Sequence, residues 1–116
     1  MDGKHIDLDY LHRFCKGDRS RMEWYIRLYL ECSPELFGAL AAKAGSGDAE
    51  GLAVAAHDLR PQVNYVGAQE LFDLLTRIED QAREQGTEAC KDQVARIADL
   101  NARVLAELEA YLEADQ

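Results

Sequence analysis

The sequence has few prolines and almost no segment that alternates as a β-strand does. Its only prolines are Pro34 and Pro61, and its clusters of Gly, Ser and Asp fall at a few positions. Between those positions apolar residues recur with a period of about 3.6 residues, which is typical of amphipathic helices. We therefore predict an all-α fold.

Long apolar runs and an excess of basic residues are also missing. No apolar stretch approaches the roughly 20 residues that span a bilayer, and residues 1–7 lack the apolar core of a signal peptide. The 22 acidic residues outnumber the 13 basic ones, for a formal net charge of -9, so nucleic acid and anionic lipid would on average repel the protein. We expect a cytoplasmic protein that binds neither nucleic acid nor membrane, and the charge favours a monomer.

The usual patterns of metal, redox and ATP sites are absent. The three cysteines, Cys15, Cys32 and Cys90, lie far apart without the CxxC spacing of a zinc site or a dithiol centre. We interpret them as reduced thiols, with Cys32 at a core position. The glycines of Gly45–Gly47 lack the lysine and the preceding strand of a phosphate-binding loop, so ATP hydrolysis and autokinase activity are not expected.

Turn and cap residues divide the chain into five predicted helices. The length of 116 residues and the apolar content of 47% suit one domain over residues 1–116. Pro34 should bend the second helix or mark a boundary near Ser33. The predicted helices are Leu8–Cys15, Arg21–Ala44, a third from the Asp48 cap to Tyr65, Ala68–Arg83 and Glu88–Leu112.

Each long helix carries one apolar stripe that must be buried against another element. The simplest closed arrangement is an antiparallel up-and-down four-helix bundle, with the short N-terminal helix covering one end. The predicted core positions are Met22, Tyr25, Tyr29, Cys32, Leu36 and Leu40, then Leu52, Ala56, Leu59, Val63 and Val66, then Leu71, Leu74, Leu75, Ile78 and Ala82, and finally Val94, Ile97, Asn101, Val104, Leu108 and Tyr111.

His57 is the residue most suited to carry chemistry. It precedes core residue Leu59 by two positions, about 200° around the helix, and is therefore expected to face solvent. Arg60, one turn later, can lean over the imidazole and offset the charge of an anionic group on the ring. The strip around His57 is predicted to be exposed and to leave room for a partner, and it consists of Ala53, Arg60, Pro61, Asn64 and Ala68.

The segment Ala56-His57-Asp58-Leu59-Arg60, followed by Gly67, resembles the motif of histidine-containing phosphotransfer (Hpt) domains. The similarity extends to Gly47-Asp48-Ala49 and to the helix that ends at Arg83. It implies that His57 is phosphorylated and that Arg60 stabilises the phosphoryl charge. It also implies that the partners are receiver domains of response regulators, with a hybrid sensor histidine kinase as a further candidate. The receiver would supply Mg²⁺, so the domain itself needs no cofactor.

Two residues qualify this expectation. Pro61 occupies a position where members of the family usually have glycine, so we expect a local kink and an altered docking surface. Glu79 should lie beside His57 when the fourth helix runs back antiparallel, and we expect it to belong to the docking surface. We also hypothesise that its carboxylate accepts a hydrogen bond from one ring nitrogen.

Two alternatives from other classes remain open at this point. The first is an Hpt-like module that docks a response regulator without relaying phosphate, and Pro61 is the feature that supports it. The second is a helical bundle whose histidine binds a cofactor such as haem, which requires an inward histidine. The predicted outward orientation of His57 disfavours that second alternative.

Overall fold

The computed structural model describes residues 5–114 and contains helices but no strand within that range. The α-helices are α1 (Asp9–Phe14), α2 (Arg19–Gly45), α3 (Ala49–Tyr65), α4 (Gln69–Gln85) and α5 (Lys91–Ala114), with a one-turn 3₁₀ helix at Thr87–Cys90 before α5. The predicted all-α class is confirmed. None of the described helices is long and apolar enough to cross a membrane.

Aspartate side chains cap the N-termini of α2 and α3. Asp18 accepts a hydrogen bond from the backbone N–H of Arg21 at 3.2 Å, and Asp48 accepts one from Gly51 at 2.9 Å. Each carboxylate satisfies an N–H that has no partner within the first turn of its helix. The starts of α2 and α3 are therefore fixed by local chemistry.

The four long helices form a closed ring. α3 packs against α4 and α2, and α5 completes the ring by contacting α2 and α4, while α1 lies against α2. The connections from α2 to α3 and from α3 to α4 are only a few residues long, so successive helices run antiparallel. This arrangement confirms the predicted four-helix bundle with a short extra N-terminal helix.

The predicted core is confirmed on α3 and α4 but is partly wrong on α2. Tyr25, Cys32 and Leu36 are only half-buried, and the residues buried on this helix are Met22, Ile26, Tyr29, Ser33, Phe37 and Leu40. α2 contacts both α3 and α5, so its most buried line faces the space between two neighbours. The same difference appears on α5, where Val94 and Tyr111 are half-buried and Leu100 and Leu112 are buried.

Of the two effects predicted for Pro34, a bend in the second helix or a boundary near Ser33, the boundary is wrong, because α2 continues through Pro34. Packing on both sides of the proline outweighs the loss of one helical hydrogen bond, which costs about 3 kcal/mol in an isolated helix.

A chain of buried hydrogen bonds connects α2 to α5 near Pro34. The Tyr29 hydroxyl donates to Asn101 Oδ1 at 2.6 Å, and Asn101 Nδ2 donates to Ser33 Oγ at 3.4 Å.

Residues 5–7 tie the α3–α4 turn to α5. The backbone N–H of Asp7 donates to the carbonyl of Val66 at 3.2 Å, and His5 Nδ1 lies 2.5 Å from the carboxylate of Glu107. Gly67 has a φ of +67°, and a Cβ added there would overlap the carbonyl of Asp7. Glycine is therefore required at this turn both for its backbone conformation and for the close approach of the N-terminal segment.

Candidate functional site

His57 lies on the outer face of α3, as the sequence predicts. Ala56 and Leu59 are buried in the core. The helical period turns His57, which lies between them in the sequence, away from that core. The side chain of His57 is 56% exposed. Its reactive atoms are therefore open to a second macromolecule.

The two nitrogens of the His57 ring have different surroundings. Nδ1 lies 2.8 Å from Arg60 Nη2 and 3.3 Å from Glu79 Oε1. Nε2 has no hydrogen-bond partner among residues 5–114. The side chain is thus held at Nδ1, and Nε2 is accessible to a partner.

Glu79 is a buried carboxylate beside an exposed histidine, so its predicted place on the docking surface is wrong. Only 8% of the residue is exposed, and its second oxygen accepts a hydrogen bond from Arg83 Nη1 at 2.7 Å. Arg60 Nη2 lies 3.4 Å from the other oxygen. The pKa of the Arg83 guanidinium is raised mainly by its hydrogen bond to Glu50 and to a smaller extent by its hydrogen bond to Glu79. Two guanidinium groups therefore compensate the buried negative charge.

Arg60 is positioned by α4 as well as by its own helix. Its Nη1 donates to Thr76 Oγ1 at 3.4 Å, and its guanidinium carbon lies 5.8 Å from the centre of the Phe72 ring. The Thr76 hydroxyl in turn donates to the carbonyl of Phe72 at 3.0 Å. Phe72, Thr76 and Glu79 thus form a cradle for Arg60 along one face of α4.

Sequence reasoning did not identify Phe72 or Arg83 as site residues. The signal that could have found them is their spacing, because Phe72, Thr76, Glu79 and Arg83 follow one another at i, i+4, i+7 and i+11. Residues at this spacing share one face of a helix. The stripe they form on α4 faces the turn of α3 that carries His57.

An open depression of about 310 Å³ surrounds the histidine. Its lining includes three of the residues that were predicted around His57, namely Arg60, Pro61 and Asn64, together with Phe72. α3 remains helical through Pro61, which is exposed. The structure therefore brings these side chains to one concave surface.

Ala53 and Ala68 do not belong to this surface, and the prediction that they are exposed is wrong. Ala53 is 0% exposed and Ala68 is 1% exposed. Ala53 lies on α3, whose most extensive contact is with α4, and a single methyl group does not extend beyond that packing. Ala68 follows the end of α3 and precedes α4, so it does not continue the strip on which His57 lies.

A family model described as Hpt domain matches residues 25–114. The chain belongs to the Hpt domain family. The match covers α2 from its second turn onward and all of α3, α4 and α5, and it therefore includes His57, Arg60 and Glu79. Comparisons with curated proteins and with solved structures gave no significant match.

Membership of the Hpt family implies histidine phosphotransfer in phosphorelay signalling, in which Hpt domains interact with receiver domains. The geometry described above suits that chemistry, because it presents an exposed imidazole nitrogen next to a guanidinium group. No group of three or more His, Cys, Asp and Glu side chains within residues 5–114 could hold a metal ion.

Proposed function

We propose that this Hpt domain is a phosphorelay intermediate. His57 would accept a phosphoryl group from the aspartate of one receiver domain and pass it to the aspartate of another. The observation that carries the proposal is the open Nε2 of an exposed histidine whose other nitrogen is held by Arg60 and Glu79.

The transfer is an in-line displacement at phosphorus. The lone pair of His57 Nε2 forms the new N–P bond, and the P–O bond to the receiver aspartate breaks with its electron pair on the departing carboxylate. The ring becomes positively charged when Nε2 is substituted while Nδ1 holds a proton, and the carboxylate of Glu79 stabilises that charge. Arg60 offsets the charge of the phosphoryl oxygens. The same steps in reverse deliver the group to the next receiver.

The receiver would approach through the depression around His57. Pro61 and Asn64 are exposed at its edge and are proposed as docking contacts. Phosphoryl transfer depends mainly on alignment and on charge stabilisation, and we assign the required Mg²⁺ to the receiver. The proposed partners place the domain in the cytoplasm, and its charge of -9 favours a monomer.

Incubation with a phosphorylated receiver tests this function. The domain should acquire one phosphoryl group that is labile in acid and stable in base, which is the behaviour of a phosphoramidate. His57→Gln should abolish the label while the helical circular dichroism stays the same, and His12→Gln, at an exposed position on α1, should retain it. Label on the His57→Gln variant would contradict the assignment.

Pro61 favours a second function, in which the domain docks a response regulator without relaying phosphate. It stands beside His57 at a position where the family usually has glycine. The same experiment separates the two functions. A pure docking module would bind the receiver in a titration of light scattering or fluorescence, yet it would acquire no label at any time. A relay intermediate would bind and become labelled.

A further inference from the structure

The Nδ1 atom of His57 has two neighbours that require opposite protonation states. Arg60 Nη2 lies at 2.8 Å and Glu79 Oε1 at 3.3 Å. A guanidinium group has only donors, and an ionised carboxylate has only acceptors. A neutral imidazole therefore satisfies the arginine when Nδ1 carries a lone pair, and the glutamate when Nδ1 carries the proton.

The contacts around the ring favour the arginine. Its 2.8 Å separation from Nδ1 is that of a charge-assisted hydrogen bond, whereas the glutamate contact is 0.5 Å longer (3.3 Å less 2.8 Å). Glu79 also has other donors, because Arg83 lies at 2.7 Å and Arg60 at 3.4 Å from its oxygens. The carboxylate is satisfied without a proton from the histidine, whereas the arginine bond to the ring exists only if Nδ1 has a lone pair.

The hydrogen bond made by one ring nitrogen decides which nitrogen is protonated. We propose that Arg60 holds unphosphorylated His57 in the tautomer that carries its proton on Nε2, the exposed nitrogen. In this state Nε2 has no lone pair for attack on phosphorus. Arg60 is thus a positioning residue that keeps the resting histidine unreactive, a role that rests on the proposed function and adds to it.

A phosphoaspartyl group would release this state. Phosphoryl oxygens are stronger acceptors for a guanidinium than a ring nitrogen is, so Arg60 leaves Nδ1 when they arrive. Nε2 then loses its proton to water, Nδ1 takes one from water, and the new Nδ1–H donates to Glu79. The lone pair gained by Nε2 is the one that forms the N–P bond.

The α4 cradle keeps the released arginine within reach. Thr76 Oγ1 lies 3.4 Å from Nη1 of the guanidinium, and the guanidinium carbon lies 5.8 Å from the centre of the Phe72 ring. The side chain of Arg60 is 25% exposed, so its end can turn toward an anion in the depression. One arginine can therefore mask the histidine before docking and stabilise the phosphoryl group after it.

Nitrogen NMR of the free, unphosphorylated domain tests the proposal without any receiver. A ring nitrogen that carries a proton and one that carries a lone pair differ widely in ¹⁵N chemical shift, and the His57 signals are assigned by their loss in His57→Gln. At mildly alkaline pH, where imidazoles are neutral, the wild-type protein should show a protonated Nε2 and a lone pair on Nδ1. Arg60→Ala should shift the tautomer ratio toward protonated Nδ1 by about tenfold or more, since a hydrogen bond from a charged donor is lost.

Arg77→Ala is the matched control, because it removes the same charge from an exposed position on neighbouring α4. It should leave the tautomer ratio unchanged. A wild-type protein with its proton on Nδ1, or a ratio that is the same in Arg60→Ala as in wild type, would overturn the proposal. Neither NMR result depends on phosphoryl transfer. A domain that acquires no label from a receiver would therefore contradict the proposed function, and the NMR spectra would still show which ring nitrogen of His57 carries the proton.

Discussion

Replacing Pro61 by glycine tests how the turn of α3 that carries His57 is held. Proline has no N–H, so the carbonyl of His57 lacks the helical donor that residue 61 would otherwise provide. In a helix interior proline is about 3 kcal/mol and glycine about 1 kcal/mol less favourable than alanine, which favours the variant by about 2 kcal/mol. These propensities already include the greater freedom of glycine in the unfolded chain. We therefore expect the free energy of unfolding to rise by up to about 2 kcal/mol.

The rate of phosphoryl transfer should change in the opposite direction. Pro61 lines the same depression as His57, so glycine widens the approach, but it also removes the ring that fixes the backbone one turn beyond the histidine. Ordering a glycine at that position costs about 0.5 to 1 kcal/mol. If this cost falls on the transition state, transfer slows about two- to fivefold.

Single-turnover transfer of label from a phosphorylated receiver measures this effect. Pro61→Ala is one control, because it removes the ring and restores the N–H without the freedom of glycine, and it should transfer faster than Pro61→Gly. Pro34→Gly is the second, since it makes the same change inside α2 and should alter stability without altering transfer. A large acceleration in Pro61→Gly would show that the pyrrolidine ring crowds the approach to His57. That outcome would refute the reasoning, and label on Pro61→Gly with none on the wild-type domain would favour the docking module that does not relay.

Three further predictions concern the stability and reactivity of the fold. Burial raises the pKa of the Tyr29 hydroxyl above its ordinary value of 10.0, so the folded state keeps a proton that the unfolded state loses, and the free energy of unfolding should fall as the pH rises above about 10. Urea titrations at several alkaline pH values should show a shallower fall for Tyr29→Phe. Gly67→Ala should destabilise the domain by more than Gly47→Ala, because both glycines have positive φ but only Gly67 meets the Asp7 carbonyl. A left-handed residue alone costs about 1 to 2 kcal/mol, and equal losses in the two variants would rule out the Asp7 contact. Cys90 is 0% exposed, and burial raises the pKa of its thiol, so this cysteine should react with a thiol reagent at neutral pH only when the protein opens or unfolds.

The sequence by itself determined the helices and the orientation of His57. Asp18 and Asp48 begin α2 and α3 through bonds to residues three positions later, and such interactions depend on nothing outside a single turn. His57 faces outward because Leu59, two positions later, is apolar and belongs to the core. These features could be predicted because their causes lie within a few residues of one another.

The tertiary structure alone decided what surrounds the histidine. Periodicity identifies the apolar face of a helix, but it does not fix the rotation of that helix against two neighbours, and residues on the flanks become buried or exposed according to that rotation. Glu79 could be placed beside His57 from the antiparallel order of the helices, yet its burial and its bond to Arg83 depend on how α4 packs against α3. Ala53 is covered for the same reason. The residue that reacts was therefore visible in the sequence, whereas the charges that act on it come from a second helix and depend on the packing of the bundle.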